Sequence, residues 1–197
     1  MALKTYFMTV NNVLYISIHR HENKEFFPKN DTGGCKFIGE GDGKYYNVNV
    51  AWNTTGTESG PNKISHKHYK FVFEKLILGI IEEFSPKLII VSAGFDSAKG
   101  DPFGQQQVDI KFFPWATEQL KKIWPRVLMV LEGGYKKKVL SKCWLECIKA
   151  LLGQKSDYSE PVGKNDLWEK SFKNIFKTAV QHKDHWKAAK NFYDEFK

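Results

Sequence analysis

The 197-residue chain is poor in cysteine, in arginine and in long apolar segments. Its 3 cysteines are too few for a disulfide framework and indicate reduced thiols in a cytosolic or nuclear protein. No apolar run approaches the roughly 18–20 residues that a membrane span needs, and the N-terminus lacks the apolar stretch of a secretory signal. These absences predict a protein without a membrane partner.

Basic residues outnumber acidic ones and give the chain a formal net charge of +8. Only Arg20 and Arg126 among the 30 basic residues are arginine, whereas bidentate recognition of phosphates and bases favours arginine. We therefore interpret the lysines as a solvated surface and expect no specific nucleic-acid site. Binding of nucleic acid and of an anionic protein partner remain the alternatives.

Apolar runs of strand length alternate with helical patterns along the chain. The predicted strands lie at residues 13–18, 47–51, 87–92 and 127–131, and the last two are continuous apolar runs, typical of strands covered on both faces. The predicted helices lie at residues 65–84, within 109–124, up to about residue 152, and at 165–196. This alternation predicts an α/β fold with a mostly parallel sheet.

Two side chains follow predicted strands at positions where α/β proteins bind ligands. Asp96 comes just after the strand at 87–92, and Tyr135 follows Gly133 and Gly134 after the strand at 127–131. A carboxylate there needs a partner or a metal, and a phenol can donate to a developing oxyanion. From the residues alone, Asp96 is equally well explained as a structural residue, and a packed aromatic is the better interpretation of Tyr135.

Other residues with metal-binding or reactive side chains are more simply structural. Cys143 and Cys147 lie four residues apart on a predicted helix and are expected to be buried thiols. The histidines are interpreted as surface residues, because no further metal ligands stand near them in the sequence: His66, His68, His182 and His185.

Six ordered motifs resemble the zinc-dependent histone deacetylases, especially class II and its class IIb. The motifs are VLYISIHR (13–20), FFP (26–28), NVNVAWN (47–53), VSAGFD (91–96), GDP (100–102) and LEGGY (131–135). The resemblance implies an arginase-like α/β fold and hydrolysis of acetyl-lysine amides in histones, tubulin or other proteins. It covers about residues 5–155, so residues 1–155 are expected to be the C-terminal part of a catalytic domain. Residues 156–197 are expected to be a linker and a terminal helical extension.

The resemblance also implies roles for single residues. Asp96 matches a zinc ligand, and Tyr135 matches the tyrosine that hydrogen-bonds the acetyl oxygen. The residues that match the acyl-lysine tunnel are Phe27, Phe103 and Gly133. A structural potassium site is implied at Ser17 and Ile18, and a second one near Phe7, Val10 and Val13.

The sequence departs from the family pattern in its metal ligands. It contains neither a His-His pair nor an Asp-x-His segment, and in the family these precede the strand that begins here at Val13. One carboxylate cannot hold a catalytic zinc, which takes three protein ligands and an open position. We therefore expect a truncated chain that is inactive by itself, located in the cytoplasm or the nucleus. The alternative is a non-enzymatic interaction module derived from a deacetylase.

Overall fold

Strands and helices alternate along the chain, as the apolar patterns predict. The computed structural model describes residues 7–26, 29, 31–54 and 63–197. Its strands are β1 (Tyr15–Arg20), β2 (Asn47–Trp52), β3 (Ile89–Ala93) and β4 (Val127–Leu131). Its longer helices are α1 (His66–Val72), α2 (Leu78–Phe84), α3 (Phe112–Ile123), α4 (Lys137–Leu151), α5 (Glu169–His182) and α6 (Lys187–Phe196). Within these residues no helix combines the length and the apolar character that a membrane crossing requires.

The chain divides into two compact units. Unit 1 comprises the described residues of 1–55, 75–84 and 168–197, and unit 2 comprises those of 56–74 and 85–167. The predicted helix at 65–84 is confirmed but is interrupted, because a π-helical turn at Phe73–Ile77 separates α1 from α2. The boundary between the units falls within this turn.

In unit 1, β1 and β2 pair in parallel and helix α5 packs on β2. All six residues of β2 are buried, and α5 covers one face of the sheet with an apolar stripe that includes Ile175 and Ala179. The packing is also fixed by a hydrogen bond, in which the Thr178 hydroxyl donates to the Asn49 carbonyl at 2.8 Å. The same face of the helix therefore buries apolar side chains and makes the hydrogen bond that aligns the helix with β2.

Helix α6 packs closely against α2 within unit 1. A Cβ atom on Gly79 would lie 2.7 Å from the Cβ of Ala188, so glycine is what permits this close approach. The Glu83 carboxylate accepts hydrogen bonds from the backbone N–H groups of Lys187 and Ala188 at 2.8 and 2.6 Å. These bonds satisfy donors at the start of α6 that have no partner inside the helix.

In unit 2, β3 and β4 pair in parallel, with α3 as the crossover between them. The side chains of Val91 and Met129 pack into a core with Cys143 and Cys147 of α4. The prediction of buried thiols is confirmed, and burial raises the pKa of Cys143 to about 12 and that of Cys147 to about 11. Helices cover this face of the sheet.

The opposite face of the same sheet is open to solvent. Ile90 is 61% exposed and Leu128 is 50% exposed, and the two residues are partners in the strand register. The prediction that both strands are covered on both faces is therefore wrong for the described chain. A continuous apolar run indicates that both faces of a strand are suited to apolar contacts. In the described chain, helices cover only one of these two faces.

Two helix ends show how local sequence sets the boundaries. Helix α3 begins at Phe112, within the predicted range of 109–124, and the Asp109 carboxylate accepts the N–H of Lys111 in a preceding turn. Helix α4 ends with Gly153 in a left-handed conformation, at φ +95°. The N–H groups of Gly153 and Gln154 bond the carbonyls of Ala150 and Lys149, which is a Schellman motif.

Two histidines that the sequence predicted at the surface are buried. The exposed fractions of His68 and His182 are 4% and 0%. The Nδ1 atom of His68 accepts the N–H of Ser65, so this imidazole takes the place of the usual Glu in a capping box. Burial, reinforced by the neighbouring histidine, lowers the pKa of each to about 4. The surface interpretation is therefore wrong for both residues.

The burial of His182 predicts a pH-dependent stability. The unfolded chain binds a proton on this imidazole near pH 6.5, whereas the folded chain does so only near pH 4. The free energy of unfolding is therefore expected to decrease as the pH falls from about 6.5 to about 4. His182→Phe is expected to reduce this decrease by about 1–3 kcal/mol, measured by urea unfolding at several pH values.

Lys177→Gln, at an exposed position of the same helix, is the control and leaves the slope of the free energy of unfolding against pH unchanged. An unchanged slope in His182→Phe would contradict the prediction.

Candidate active site

The carboxyl ends of β3 and β4 lie side by side in unit 2. The register pairs Ala93 with Leu131, the last residues of the two strands. Beyond them the loops stay joined, since the N–H of Glu132 donates to the Ala93 carbonyl and the N–H of Phe95 to the Gly133 carbonyl. The loops that carry Asp96 and Tyr135 therefore leave the same end of the sheet, where α/β proteins bind ligands.

The Asp96 carboxylate lies against the glycines of both loops. A Cβ atom on Gly94 would lie 3.2 Å from its Oδ1, and one on Gly133 would lie 3.5 Å from its Cγ. Burial raises the pKa of Asp96, and the negative charge of Asp101 raises it further, against the lowering effect of backbone N–H bonds. A carboxylate in such a position gains from a nearby cation, because its charge is poorly solvated.

Tyr135 and Phe103 form an exposed aromatic pair beside this carboxylate loop. Their rings meet edge to face, with centroids 4.7 Å apart and an interplanar angle of 72°. Tyr135 is 59% exposed and Phe103 is 63% exposed, so both are accessible to a ligand. Two adjacent exposed rings suit a flat or aliphatic apolar group, and the phenol adds a hydrogen-bond donor.

A single buried carboxylate, that of Asp101, connects the loops of the aromatic pair. Its Oδ2 accepts the N–H of Tyr135 at 2.6 Å, and its Oδ1 accepts the N–H groups of Phe103 and Gly104 at 2.9 and 3.1 Å. Asp101 is 6% exposed, so these bonds form largely out of contact with water. The carboxylate therefore fixes Phe103 and Tyr135 relative to each other, through a bond between residues 34 positions apart, Asp101 and Tyr135.

Two glycines make the loop geometry possible. Gly134 has φ +126°, and a Cβ atom there would lie 2.7 Å from Leu140 Cδ1. A Cβ atom on Gly104 would lie 1.8 Å from the carbonyl oxygen of Asp96, so any side chain at 104 would displace the Asp96 loop. The backbone around Asp96 is thus closely packed on two sides.

Asp101 is the functional residue that sequence reasoning missed. The sequence places it in the GDP motif but assigns it no role. The dipeptide Asp101-Pro102 is a turn signal, and an Asp at the start of a turn commonly accepts N–H bonds from the residues that follow. That signal explains the bonds to Phe103 and Gly104, whereas the bond to Tyr135 depends on the tertiary fold.

The other predicted site residues lie elsewhere or are not described. Ser17 and Ile18 are in β1 of unit 1, where the Ser17 hydroxyl hydrogen-bonds Nδ1 of His19 at 2.8 Å. Phe27 lies outside the described residues. The potassium-site and tunnel assignments therefore stay predictions.

Within the described residues, the side chains that can bind a metal are not clustered. No group of three or more His, Cys, Asp or Glu side chains is close enough to hold a metal ion. Asp96 has the chemistry of one zinc ligand, but a catalytic zinc takes three protein ligands. The donors that the structure describes therefore do not fit a catalytic zinc by themselves.

Comparisons with known proteins identify the family. The family model described as "Histone deacetylase domain" matches residues 2–151. Histone deacetylase HDA1 of Candida albicans is 39% identical over 143 residues, which are 72% of this chain and 16% of that protein. Polyamine deacetylase HDAC10 of Homo sapiens is 34% identical over 179 residues, which are 90% of this chain and 25% of that protein.

Solved structures agree with the sequence comparison. The HD domain of HDA15 superposes with a TM-score of 0.83 at 30% identity, covering 98% of this chain and 50% of that chain. The histone deacetylase Clr3 superposes with a TM-score of 0.84 at 28% identity, covering 94% of this chain and 30% of that chain.

The fold is therefore that of the hydrolytic deacetylases, an arginase-like α/β fold, of which the chain covers a portion. The chain belongs to the histone deacetylase family, and the resemblance seen in its motifs is confirmed. It spans about a quarter or less of the two curated relatives above, and half of the HDA15 domain.

The Asp101 bridge predicts a large effect of a small substitution. In Asp101→Asn, one of the two accepting oxygens becomes an NH₂ group that faces a backbone N–H donor. The free energy of unfolding is expected to fall by about 1–3 kcal/mol, because a buried donor loses its acceptor. Urea unfolding of the purified chain measures this, with the exposed substitution Asp157→Asn as the control. Equal stability of the two variants would contradict the prediction.

Proposed function

We propose that this chain is the C-terminal part of a class II, class IIb-like, zinc-dependent protein lysine deacetylase domain. In this proposal residues 1–155 belong to the catalytic domain, and residues 156–197 are a linker and a helical extension. The main support is that the Asp96 and Tyr135 loops leave the same end of one parallel sheet and are held there by Asp101. Family membership supports amide hydrolysis of acetyl groups as the parent reaction.

Each residue of the site then has a chemical role. The Tyr135 hydroxyl donates a hydrogen bond to the acetyl oxygen as that oxygen gains negative charge during attack on the amide. Phe103 and Gly133 are proposed to line a slot for the aliphatic stem of a neutral acetyl-lysine, and Phe27 stays a tunnel residue on the resemblance alone. Such a slot excludes a charged lysine, since an apolar wall cannot compensate a desolvated ammonium group. Asp96 would contribute one carboxylate ligand to a zinc ion in a complete site.

Zinc would supply Lewis-acid activation of the amide carbonyl and of water in a complete site. The donors present in the described residues do not fit it alone, so no metal-dependent step is assigned to this chain. Proteins with acetylated lysines, such as histones or tubulin, are the proposed substrates, and the nucleus or cytoplasm is the proposed location. Ser17 and Ile18 remain the proposed potassium-site residues.

A non-enzymatic interaction module is the second candidate. The observation that favours it is the open apolar face of the β3–β4 sheet, since exposed apolar patches mark binding surfaces. An intact Asp96–Asp101–Tyr135 arrangement favours the enzyme. The two proposals predict different results when further zinc ligands are supplied. The enzyme proposal predicts deacetylation, and the interaction-module proposal predicts none.

The 197-residue chain alone is expected to show no deacetylation. The reason is that three zinc ligands and a general base are needed, and the sequence has no His-His pair or Asp-x-His segment to supply them. Release of acetate from an acetyl-lysine histone peptide, with zinc added, measures this. Turnover that depends on zinc and is abolished by a chelator would overturn the prediction.

A joined chain tests the proposed function directly. It consists of the portion of the HDA15 HD domain that has no counterpart here, followed by this chain. We expect it to deacetylate acetyl-lysine peptides, and its rate on an acetylated polyamine reports the substrate class. Tyr135→Phe is expected to lower kcat by about 10²–10³, because one oxyanion donor is lost. Tyr193→Phe, in α6, is the control. An inactive joined chain that binds no zinc would count against the proposal.

A further inference from the structure

The exposed charges beside the aromatic pair of Phe103 and Tyr135 are mostly positive. Lys99 precedes the turn that carries Phe103, and three consecutive lysines at 136–138 follow Tyr135 at the start of α4. We call these four residues the lysine cluster, and all four are exposed. Among the residues that the structure describes, none of their ammonium groups forms an ion pair. The cluster therefore has positive charge available for a partner.

Few negative charges oppose the lysine cluster. Residues 94–104 and 132–138 contain three carboxylates, those of Asp96, Asp101 and Glu132. The Asp101 carboxylate is buried and accepts three backbone N–H groups, and Asp96 is partly buried against the glycines of both loops. In these two described segments, one fully exposed carboxylate, that of Glu132, therefore stands against four exposed lysines.

One lysine of the cluster lies across the loop that leads to the aromatic pair. Gly100 has φ +93°, and a Cβ atom there would lie 3.3 Å from Nζ and 3.7 Å from Cδ of Lys136. The Lys136 side chain therefore rests on the backbone of Gly100, directly before Asp101. Because Asp101 bonds the backbones of Phe103 and Tyr135, the ammonium group lies beside the segment that carries the two rings.

The rings and the lysines suit different parts of one peptide. An acetylated lysine has lost its charge, so its stem can contact exposed rings without desolvating an ammonium group. Neighbouring residues of an extended peptide are about 3.5 Å apart, so those one or two positions from the acetyl-lysine stay close to the rings. Acidic side chains at these positions would be attracted by the lysine cluster, and basic ones would be repelled.

A peptide fits this surface better than a nucleic acid does. Recognition of phosphates favours arginine, whose planar group forms paired hydrogen bonds, and the cluster contains none. Arg20 lies in β1 of unit 1 and pairs with Glu22 at 3.3 Å. Arg126 immediately precedes β4, at the end of the sheet opposite to Tyr135.

We propose that the aromatic pair and the lysine cluster together bind an acetyl-lysine that is flanked by acidic residues in a protein substrate. This proposal rests on the proposed function and names the class of substrate sequence that the site takes. The rings contact the acetylated side chain, and the lysines pair with carboxylates on either side of it. A segment rich in lysine or arginine is disfavoured at the same surface.

Peptide binding to the full 197-residue chain tests the proposal without a metal. The probes are three fluorescent peptides: acetyl-lysine flanked by aspartates, acetyl-lysine flanked by serines, and alanine flanked by aspartates. At about 0.01 M salt we expect fluorescence anisotropy to show that the first binds about 5-fold more tightly than either of the others. At about 0.15 M salt its advantage over the serine-flanked peptide is expected to shrink, because the Debye length falls from about 30 Å to about 8 Å.

Substitutions connect this preference to the lysine cluster. The double variant Lys136→Gln/Lys137→Gln is expected to weaken the aspartate-flanked acetyl-lysine peptide by about 5-fold and to leave the serine-flanked peptide unchanged. The matched control is Lys87→Gln/Lys155→Gln, which removes the same charge at exposed positions before β3 and after α4 and leaves all binding unchanged.

Phe103→Ser tests the contribution of the aromatic pair. This substitution is expected to weaken both acetyl-lysine peptides and to leave the alanine peptide unchanged, because only the acetylated side chain contacts the ring. The substituted positions are all exposed, so unchanged thermal unfolding shows that each variant folds.

The outcomes separate this proposal from the proposed function. Equal binding of the two acetyl-lysine peptides would overturn the proposal and leave the proposed function standing, since that function requires only acetyl-lysine. Binding of the alanine peptide as tightly as its acetyl-lysine counterpart, or of no peptide at all, would also overturn it. A DNA duplex that binds more tightly than all three peptides would assign the cluster to nucleic acid instead. An inactive joined chain that keeps the full peptide preference would count against the proposed function alone.

Discussion

The parallel pairing of β3 with β4 is the constraint on which the candidate site depends. Because Ala93 and Leu131 are register partners, the two following loops start from one end of the sheet and remain hydrogen-bonded to each other. Asp101 then joins them a second time, through three backbone N–H groups. The backbone of Tyr135 is therefore held by a buried carboxylate, while its exposed ring packs only edge to face on Phe103.

Burial in the two units serves different ends. In unit 1 the α5 helix covers β2 on an interface that includes polar side chains, with Thr178 bonded to Asn49 and a fully buried His182. Such groups cost desolvation energy but restrict which alignments of helix and strand are acceptable. In unit 2 the covered face of the sheet is largely apolar, and the buried Asp101 carboxylate lies beyond the strand ends, at the edge where α/β proteins bind ligands.

The uncovered face of the unit 2 sheet leaves apolar side chains in contact with water. Exposing Ile90 and Leu128 forgoes the burial that makes such side chains stabilising. Strand β3 leads to Asp96, whose pKa is raised because its carboxyl group is buried.

The sequence by itself determined the order of strands and helices, the parallel α/β class, and the placement of Asp96 and Tyr135 at strand ends. The apolar periodicity of a segment predicts its secondary structure because both are local properties. The carboxyl ends of parallel strands lie at the same edge of a sheet, which places the residues after them close together. Only the tertiary structure decided that His68 and His182 are buried, that Asp101 bonds Tyr135, and that one sheet face is open. The burial of a side chain and a hydrogen bond between distant residues depend on which segments come into contact in the fold. The sequence next to a residue does not contain that information.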